Sequence, residues 1–148
     1  MKEYHFKRFL DAQNQTYLTA LAEIKKGRKE THWMWFIFPQ LEGLGQSETS
    51  KFYALADLQE AAEFLAHPVL GRHLVQISEA LLSTPTVSAK EVLGHPDDLK
   101  LRSSMTLFAQ TEKAHPVFTA VLERYFDGKE DERTLKLLSR KKPGHDII

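Results

Sequence analysis

The sequence predicts an all-α protein, a compact single-domain bundle of about seven helices around an aromatic central segment. Three observations support this prediction. Apolar residues recur at three- and four-residue steps along most of the chain, which is the period of an amphipathic helix. No stretch alternates apolar and polar residues over the length of a strand between turn signals. A length of 148 residues suits one domain whose core needs no disulfide or metal.

The central segment is Thr31–Gln40, which reads THWMWFIFPQ. Each Trp or Phe offers roughly 150–250 Å² for burial, so the segment must form the centre of a core or the wall of a pocket. Its pattern fits a buried strand as well as a buried helix. We predict a short helix from about Thr31 to Phe38, because the chain offers no convincing strand with which it could pair. The residues that we expect to be mostly buried are Trp33, Trp35, Phe36 and Phe38.

Helical periodicity and stop signals divide the rest of the chain. The first helical region covers about Phe6 to Ile24, with a break near Gln13, and Gly27 is a natural stop beyond its end. The loop LEGLGQS follows the central segment. The remaining predicted segments are a turn capped by Ser47, helices at about Asp57–Ala66, Pro68–Leu82, Pro96–Gln110, Pro116–Tyr125 and Glu130–Leu138, and a short turn at 88–93. The helical domain therefore spans residues 1–138, and residues 139–148 form a polar tail.

Two local patterns mark the starts of helices. Asp57 and Glu60 have the spacing of a capping box, in which the two side chains bond backbone N–H groups of the first turn. Three His-Pro dipeptides precede helical patterns, and proline suits the first turn because its missing N–H would have no partner there. These dipeptides are His67-Pro68, His95-Pro96 and His115-Pro116.

Composition argues against several classes of protein. The chain has no cysteine, which removes disulfides, thiolate metal sites and a cysteine nucleophile and fits a reducing cytoplasm. Lys plus Arg and Asp plus Glu are equal at 20 each, so no net field holds polyanionic DNA or a membrane surface. The N-terminus lacks an apolar signal region, and no run of about 20 apolar residues occurs. We expect a soluble, cytoplasmic protein, a monomer or weak dimer, with no nucleic acid and no membrane as partner.

The segment DDLKLRSSMTLFAQ places polar side chains on a helix that should be largely buried. Lys100 and Ser104 share one side of this helix, as do Arg102 and Thr106, because residues four apart are neighbours on a helix surface. Buried cations need partners. Either these pairs line a pocket for an anionic or polar ligand, such as a phosphate, sugar or carboxylate, or Asp97, Asp98, backbone carbonyls or carboxylates of other helices satisfy them.

The aromatic segment allows a second functional interpretation. Trp33 and Trp35 can form a stacking platform for a base or a sugar, with His32 as an acid–base group at its edge, because imidazole titrates near neutral pH. The alternative is that the segment is simply core. We expect His32 and Gln40 to meet a ligand sooner than the central residues, because they stand at the polar ends.

Signatures of specific chemistries are missing from the sequence. Seven histidines invite a search for a metal site, but His67 and His73 do not share a helical face, and no HExxH pattern or carboxylate triad occurs. The string GLGQS lacks the third glycine and the lysine of nucleotide-binding loops. No GxSxG elbow is present for a serine nucleophile. We therefore predict no metal site and no cofactor.

Three strings of the sequence carry a resemblance to a known family. They are GRKETHWMWFIFPQLEGLGQS, HPVLG and DDLKLRSSMTLF, and they resemble the signature of the family called domain of unknown function 1810, from about Phe9 to Leu138. The resemblance implies a small, mainly α-helical single domain, found largely in bacteria, without an established activity. Some members carry a calpastatin-like label, but nothing in this chain supports protease inhibition. The family's characteristic polar positions fall on Gln13, Lys29, His32, Gln40, Ser47, Lys100, Ser103 and Ser104.

Two classes of function stay open at this point. In the first, the central segment and the helix after Pro96 converge on a pocket for a small polar or phosphate-bearing ligand, nucleotide-like in character, with hydrolysis or transfer conceivable. In the second, the domain is a protein–protein interaction module without catalytic activity. The sequence does not decide whether the protein is an enzyme. The predicted ligand-binding residues are His32, Trp35, Gln40, Ser47, Lys100, Ser103 and Ser104.

Overall fold

The computed structural model describes residues 6–141, which form nine helices and no strand. The helices are α1 (Lys7–Lys26), α2 (Met34–Ile37), α3 (Glu48–Tyr53), α4 (Leu58–Ala66), α5 (Leu70–Ser83), α6 (Ala89–Leu93), α7 (Asp97–Ala109), α8 (Val117–Phe126) and α9 (Glu132–Lys141). The all-α prediction is confirmed. The described residues hold nine helices rather than about seven, because the two predicted turns are the short helices α3 and α6.

The helix α1 is continuous, so the predicted break near Gln13 is wrong. Gln13 is buried, and its side-chain amide donates to the carbonyl of Phe36 at 2.7 Å. A polar residue in the apolar pattern therefore marks a tertiary contact rather than a break. Gly27 ends the helix with a left-handed φ of 87°, a conformation that glycine adopts without steric cost.

The helix α2 is shorter than the predicted Thr31–Phe38. The backbone just before α2 donates to the side chain of Glu23 in α1, which holds this part of the chain outside the helix. At the other end, Pro39 disfavours helical geometry at the preceding residue, and Phe38 has φ −123° and ψ 73°. A side-chain contact and a proline thus confine the helix to Met34–Ile37.

The aromatic residues of the central segment are buried, with one exception. Trp33, Phe36 and Phe38 belong to the hydrophobic core, and the rings of Trp33 and Phe38 lie 6.3 Å apart. Trp35 is partly exposed. All four side chains are therefore mostly buried, as predicted, and Trp35 is the least buried of them.

The loop after the central segment is tied to the chain that follows α3 by an isolated parallel bridge between Leu41 and Leu55. The N–H of Glu42 donates to the carbonyl of Leu55 at 2.7 Å, and the N–H of Leu55 donates to the carbonyl of Gln40 at 2.9 Å. Apart from this bridge, residues 6–141 contain no β-structure. The bridge fixes the backbone on both sides of the glycine-containing loop.

Serine and aspartate side chains cap α3, α4 and α6. Ser47, Asp57 and Ser88 each accept a hydrogen bond from the third residue of the helix that follows, as good N-cap residues do. The predicted capping box at α4 has a modified form. The carboxylate of Glu60 accepts from the N–H of Ala56 at 2.7 Å rather than from the N-cap residue itself.

The three His-Pro dipeptides precede α5, α7 and α8, as predicted. Their prolines lie at the N-cap position or one residue before it, not inside the first turn. Nδ1 of His67 accepts from the N–H groups of Val69 and Leu70 at 3.1 and 3.3 Å. Nδ1 of His115 accepts from the N–H of Val117 at 3.0 Å. Two of the histidines thus cap the helices that their prolines introduce.

A chain of aromatic contacts runs through the core and joins α1, α4, α7 and α8. Phe64 lies at its centre, with ring centroids 5.8 Å from Phe6, 5.0 Å from Phe9 and 5.6 Å from Phe108. Phe108 continues the chain to Phe118 at 5.7 Å. These edge-on and tilted arrangements each add about 0.5–1.5 kcal/mol beyond the burial of area.

The helix α7 is the most deeply buried of the long helices. Leu101, Met105, Leu107 and Phe108 have no exposed surface, which agrees with the predicted burial. Leu99 differs, because 49% of its surface is exposed. One edge of α7 therefore faces solvent near its N-terminus.

The last helix, α9, continues beyond the predicted end at Leu138. Residues 139–141 are helical, and the rest of the predicted tail, residues 142–148, lies outside the described residues. Asp131 starts the helix by accepting from the N–H and hydroxyl of Thr134 at 3.0 and 2.6 Å.

Candidate functional site

A buried carboxylate fixes the start of the central segment. Glu23 of α1 is only 5% exposed. Its two oxygens accept from the N–H of Glu30 at 2.8 Å, the N–H and hydroxyl of Thr31 at 3.1 and 2.7 Å, and Nε1–H of Trp33 at 2.8 Å. A buried charge needs such partners. Glu23 therefore orients both the loop after α1 and the ring of Trp33.

These hydrogen bonds also determine the ionisation of Glu23. Burial alone raises the pKa of a carboxyl group, but the four hydrogen bonds favour the charged form more strongly and lower the pKa of Glu23 from 4.5 to about 2. Glu23 is therefore ionised at every pH at which a cell works.

Two lysines and two tryptophans meet at the start of α7. Asp97 lies between the lysines, with Oδ2 3.0 Å from Nζ of Lys29 and Oδ1 3.3 Å from Nζ of Lys100. Nζ of Lys29 is 5.1 Å from the ring centre of Trp33, and Nζ of Lys100 is 5.2 Å from that of Trp35. Both distances are in the range of cation–π attraction. We call these five residues the lysine–tryptophan cluster.

The lysine–tryptophan cluster carries an excess of one positive charge, because one carboxylate faces two ammonium groups. The side chains of Lys29, Asp97 and Lys100 are 8%, 18% and 23% exposed, so water screens this charge less than at an open surface. Lys100 is the most exposed of these three, and Trp35 beside it is also partly exposed. An anion that approaches the cluster meets these two side chains first.

The other predicted ligand-binding residues have varied surroundings. His32 is exposed. Gln40 is partly exposed and precedes Leu41, which forms the β-bridge with Leu55. Ser47 caps α3. Ser103 donates to the carboxylate of Asp131, just before α9, at 3.2 Å. Ser104 is fully buried, and its hydroxyl has no hydrogen-bond partner among residues 6–141. The structure thus brings Trp35 and Lys100 together and gives Ser47 and Ser103 partners within the protein.

The second cation–hydroxyl pair of α7 has a structural role. Arg102 donates to the carbonyls of Lys129 and Glu130 at 2.9 and 2.8 Å. The hydroxyl of Thr106 accepts from the N–H of Asp131 at 2.9 Å. For this pair, partners within the protein satisfy the polar groups, and they hold the connection between α8 and α9.

A neutral polar network joins α1 and α5. The ring of Tyr17 stacks on His73, with centroids 3.7 Å apart, and its hydroxyl donates to the side-chain carbonyl of Gln76. Because the amide of Gln13 donates to Phe36, its oxygen is the acceptor 2.8 Å from Nδ1 of His73, so Nδ1 carries the proton.

The ionisation of this network agrees with a structural role. Burial raises the pKa of Tyr17 to about 12. Burial and the positive charge of Arg72 lower the pKa of His73. Both rings are therefore neutral at pH 7, and the contacts between α1 and α5 do not change over the physiological range.

Two surface clefts lie apart from the lysine–tryptophan cluster. The larger one, of about 550 Å³, is formed by α5 and the loop between α7 and α8. The smaller one, of about 330 Å³, lies between α1 and α5. Neither cleft is lined by a predicted ligand-binding residue. It therefore stays a prediction that Lys100, Ser103 or Ser104, together with His32 or Gln40, lines the main pocket.

Two negative findings apply to residues 6–141. No three His, Asp or Glu side chains in this range lie close enough together to hold a metal ion. No helix in the same range has both the length and the apolar character that crossing a bilayer requires.

Sequence reasoning missed Glu23 and the bridging position of Asp97. A signal for Glu23 existed, because it lies three residues after the buried Ala20 and next to the buried Ile24, and a charge on the apolar side of a helix implies a buried partner. Asp97 is three residues from Lys100 on α7, but its contact with Lys29 joins distant parts of the chain. Sequence spacing alone does not show such a contact.

The fold and the cluster define a small all-α protein built around a buried aromatic segment. The chain belongs to the family described as proteins of unknown function, DUF1810, whose model matches residues 3–138. It is similar to the conserved hypothetical protein Rv1873 from Mycobacterium tuberculosis, whose crystal structure is known at 1.38 Å. The two are 45% identical over 90% of this chain and 96% of that one, with a TM-score of 0.88. No curated protein matches the chain.

Proposed function

We propose that this protein binds a small anionic ligand that carries a phosphate group, at the lysine–tryptophan cluster. The main support is the shared carboxylate of Asp97, which faces two ammonium groups and neutralises only one of them. A phosphate that approaches Lys100 meets this unbalanced charge. Lysine binds phosphate as a point charge without strict geometry, so a small movement of its side chain accommodates the ligand.

The exposed part of Trp35 favours a ligand with a flat group next to its phosphate. Stacking of a base on an aromatic side chain contributes roughly 1–3 kcal/mol. Trp35 is available for such stacking, whereas Trp33 is fully buried. A nucleotide-like ligand combines a base with a phosphate. We propose that His32 and Gln40 add polar contacts, since neither side chain is buried.

The cluster supports binding more directly than catalysis. Its three charged groups are paired with one another. A nucleophilic mechanism needs a base within hydrogen-bond reach of a nucleophile, and the contacts of the cluster do not form such a pair.

Calorimetric titration with adenosine monophosphate tests this proposal. We expect Lys100→Ala to weaken binding about tenfold, the effect of losing roughly 1.4 kcal/mol. We expect Asp97→Asn to tighten binding, because the amide no longer neutralises a lysine. Lys90→Ala, which removes an exposed lysine of α6, is the matched control and should bind as the parent does.

The two substitutions at the cluster have opposite expected effects, which separates a charge effect from a general loss of structure. Unfolding curves without ligand show whether each variant is folded. If adenosine monophosphate does not bind the parent, or if folded Lys100→Ala and Asp97→Asn both keep the parent affinity, the proposed site is wrong.

A second candidate function, a protein–protein interaction module, is favoured by the exposed apolar side chains of Leu99 and Phe52. Leu99 adjoins Lys100 on α7, and exposed apolar surface often marks an interaction site. A ligand that binds only the folded state raises the melting temperature. In this alternative the protein binds no nucleotide or sugar phosphate, so none of these compounds raises its melting temperature. Leu99→Ser would then reduce association with the partner without changing the fold.

Two further expectations belong to the proposal. We propose that the protein works in the cytoplasm, as its lack of cysteine favours. We also propose that it is a monomer or weak dimer, which sedimentation equilibrium measures directly.

A further inference from the structure

The larger cleft has the size and the polar lining of a ligand site. Its volume of about 550 Å³ falls within the range of small-molecule sites, roughly 300–1,000 Å³. Its polar lining consists of Arg72, Gln76 and Glu79 from α5 and of Lys113 and His115 from the loop between α7 and α8. We call these five residues the basic cleft. None of them belongs to the lysine–tryptophan cluster.

The two cations of the basic cleft form no hydrogen bond or contact ion pair within the described part of the chain, and the carboxylate of Glu79 lines the same cleft. Arg72 and Lys113 are both exposed, and within residues 6–141 neither forms a hydrogen bond or an ion pair. Cleft walls of low dielectric focus the field of such charges. An anion in the cleft would therefore face two cations that nothing in this range neutralises by contact.

His115 adds a fixed hydrogen-bond donor. Its Nδ1 accepts from the N–H of Val117 at 3.0 Å, so the neutral ring carries its proton on Nε2. The ring also packs against Phe118, with centroids 6.5 Å apart. The cap and the ring contact together hold the imidazole in place at the wall of the cleft.

Gln76 and Glu79 give the cleft a second polar side. The side-chain carbonyl of Gln76 accepts from the hydroxyl of Tyr17, which leaves its NH₂ group free to donate. The carboxylate of Glu79 is exposed. When ionised, it accepts hydrogen bonds and donates none. A ligand that fits both sides carries an anionic group and, next to it, a hydroxyl or ammonium group.

The wall of the cleft is rigid where α4 meets α5. The two helices approach so closely at Gly71 that a Cβ atom there would overlap the carbonyl oxygen of Leu65. Both residues line the cleft. A wall that is already ordered lowers the entropy cost of binding.

We infer that the basic cleft is a second ligand site, which takes a small organic anion bearing a hydroxyl or ammonium group. Arg72, Lys113 and Nε2–H of His115 bind the phosphate or carboxylate group of the ligand. Glu79 accepts a hydrogen bond from the neighbouring hydroxyl or ammonium group. This site is independent of the proposed nucleotide-like site, because it needs no aromatic platform.

Amide NMR titration of the full chain tests the inference. The probes are glycerol 3-phosphate for the phosphate group and malate for the carboxylate group. We expect the amides of Gly71, Lys113 and His115 to shift along one saturating curve with at least one probe, and the tighter probe identifies the anion. Arg72→Ala and Lys113→Ala should each weaken that binding about tenfold. Arg133→Ala, which removes an exposed arginine of α9, is the control and should have no effect.

A matched pair of ligands tests the role of Glu79. Malate and succinate differ by one hydroxyl group, and we expect the parent to prefer malate. Glu79→Ala should bring the two affinities close together, because the side chain that accepts from the hydroxyl group of malate is gone.

Three results would overturn the inference. One is that the amide shifts do not saturate with either probe up to about 20 mM, a concentration well above the roughly millimolar Kd of a weak site. Another is unchanged affinity in both Arg72→Ala and Lys113→Ala. The third is loss of the same signal in Lys100→Ala, which would assign it to the lysine–tryptophan cluster. Retention in Lys100→Ala supports the basic cleft whether or not adenosine monophosphate binds the cluster.

Discussion

Glu23→Gln removes the charge of the buried carboxylate while keeping the size of the side chain. In the parent, the two oxygens accept from donors of Glu30, Thr31 and Trp33 at 2.7 to 3.1 Å. Glutamine keeps one acceptor oxygen and turns the other into an NH₂ donor. One carboxylate oxygen of Glu23 faces three N–H groups and the other faces the Thr31 hydroxyl, which can accept from the NH₂ group. The substitution therefore replaces charge-assisted hydrogen bonds by weaker neutral ones.

The size of the effect follows from the pKa of Glu23, which falls from 4.5 to about 2 in the folded protein. This fall corresponds to about 3 kcal/mol of stabilisation at neutral pH. The folded pKa lies below the unfolded one, so the stabilisation is complete above about pH 5 and declines as the pH falls toward 2. At pH 3 it should be smaller by about 2 kcal/mol.

Urea unfolding of parent and variant between pH 7 and pH 3 measures this effect. We expect Glu23→Gln to lower the free energy of unfolding by about 3 kcal/mol at pH 7, and we expect the gap to narrow as the pH falls below 4.5. Glu123→Gln, on the exposed side of α8, is the control and should stay within about 0.5 kcal/mol of the parent. A gap below about 1 kcal/mol at pH 7, or one that does not change with pH, would refute the reasoning.

Substitutions at four further residues are checked by the same unfolding assay. Trp33→Ala should cost about 3–5 kcal/mol and Trp35→Ala clearly less, because only Trp33 is fully buried; equal losses would contradict the burial pattern. Gly71→Ala should cost at least about 3 kcal/mol, because its Cβ would overlap the backbone of α4; a neutral result would show that α4 and α5 separate easily. His67→Ala should cost about 1 kcal/mol and His67→Asn less, because Asn is also a good cap; equal losses would argue against the capping role.

Local signals predicted much of the fold. Gly27 ends α1 and Ser47 starts α3, because a glycine stop and a serine cap act through bonds to the nearest backbone groups. The start of α4 at Asp57 was predicted for the same reason. Each of these features depends on residues within one turn of the helix end, so its sequence spacing is enough to find it.

Features that depend on contacts between distant elements could not be predicted in this way. The polar Gln13 was interpreted as a break, but its amide reaches Phe36 in the central segment. The shortness of α2 depends on Glu23, whose place on the apolar side of α1 implies a buried partner but does not identify that partner as the start of the central segment. The pairing of Lys29 with Asp97 joins the loop after α1 to α7, and no local pattern announces it.

The candidate site also contains residues that the sequence predicted and residues whose partners it did not reveal. The sequence predicts Lys100 from its place on an apolar helix and Trp35 as part of a stacking platform, and the structure places the two side chains together. The predicted role of Ser103 rested on the same argument, but its hydroxyl bonds the carboxylate of Asp131. A polar residue in an apolar helix signals a partner, and the sequence does not say whether that partner is a ligand or the protein itself.

NMR of the two tryptophan indole N–H groups tests the central claim, ligand binding at the lysine–tryptophan cluster, most directly. Nε1–H of Trp33 donates to Glu23 at 2.8 Å, whereas Trp35 is partly exposed beside Lys100. The indole signal that is missing from the spectrum of Trp35→Phe belongs to Trp35, which assigns both signals. During titration with adenosine monophosphate, we expect the Trp35 signal to shift and saturate, with little change for Trp33, and we expect this response to weaken about tenfold in Lys100→Ala. A Trp35 signal that stays fixed, or one that responds equally in Lys100→Ala, would contradict the account.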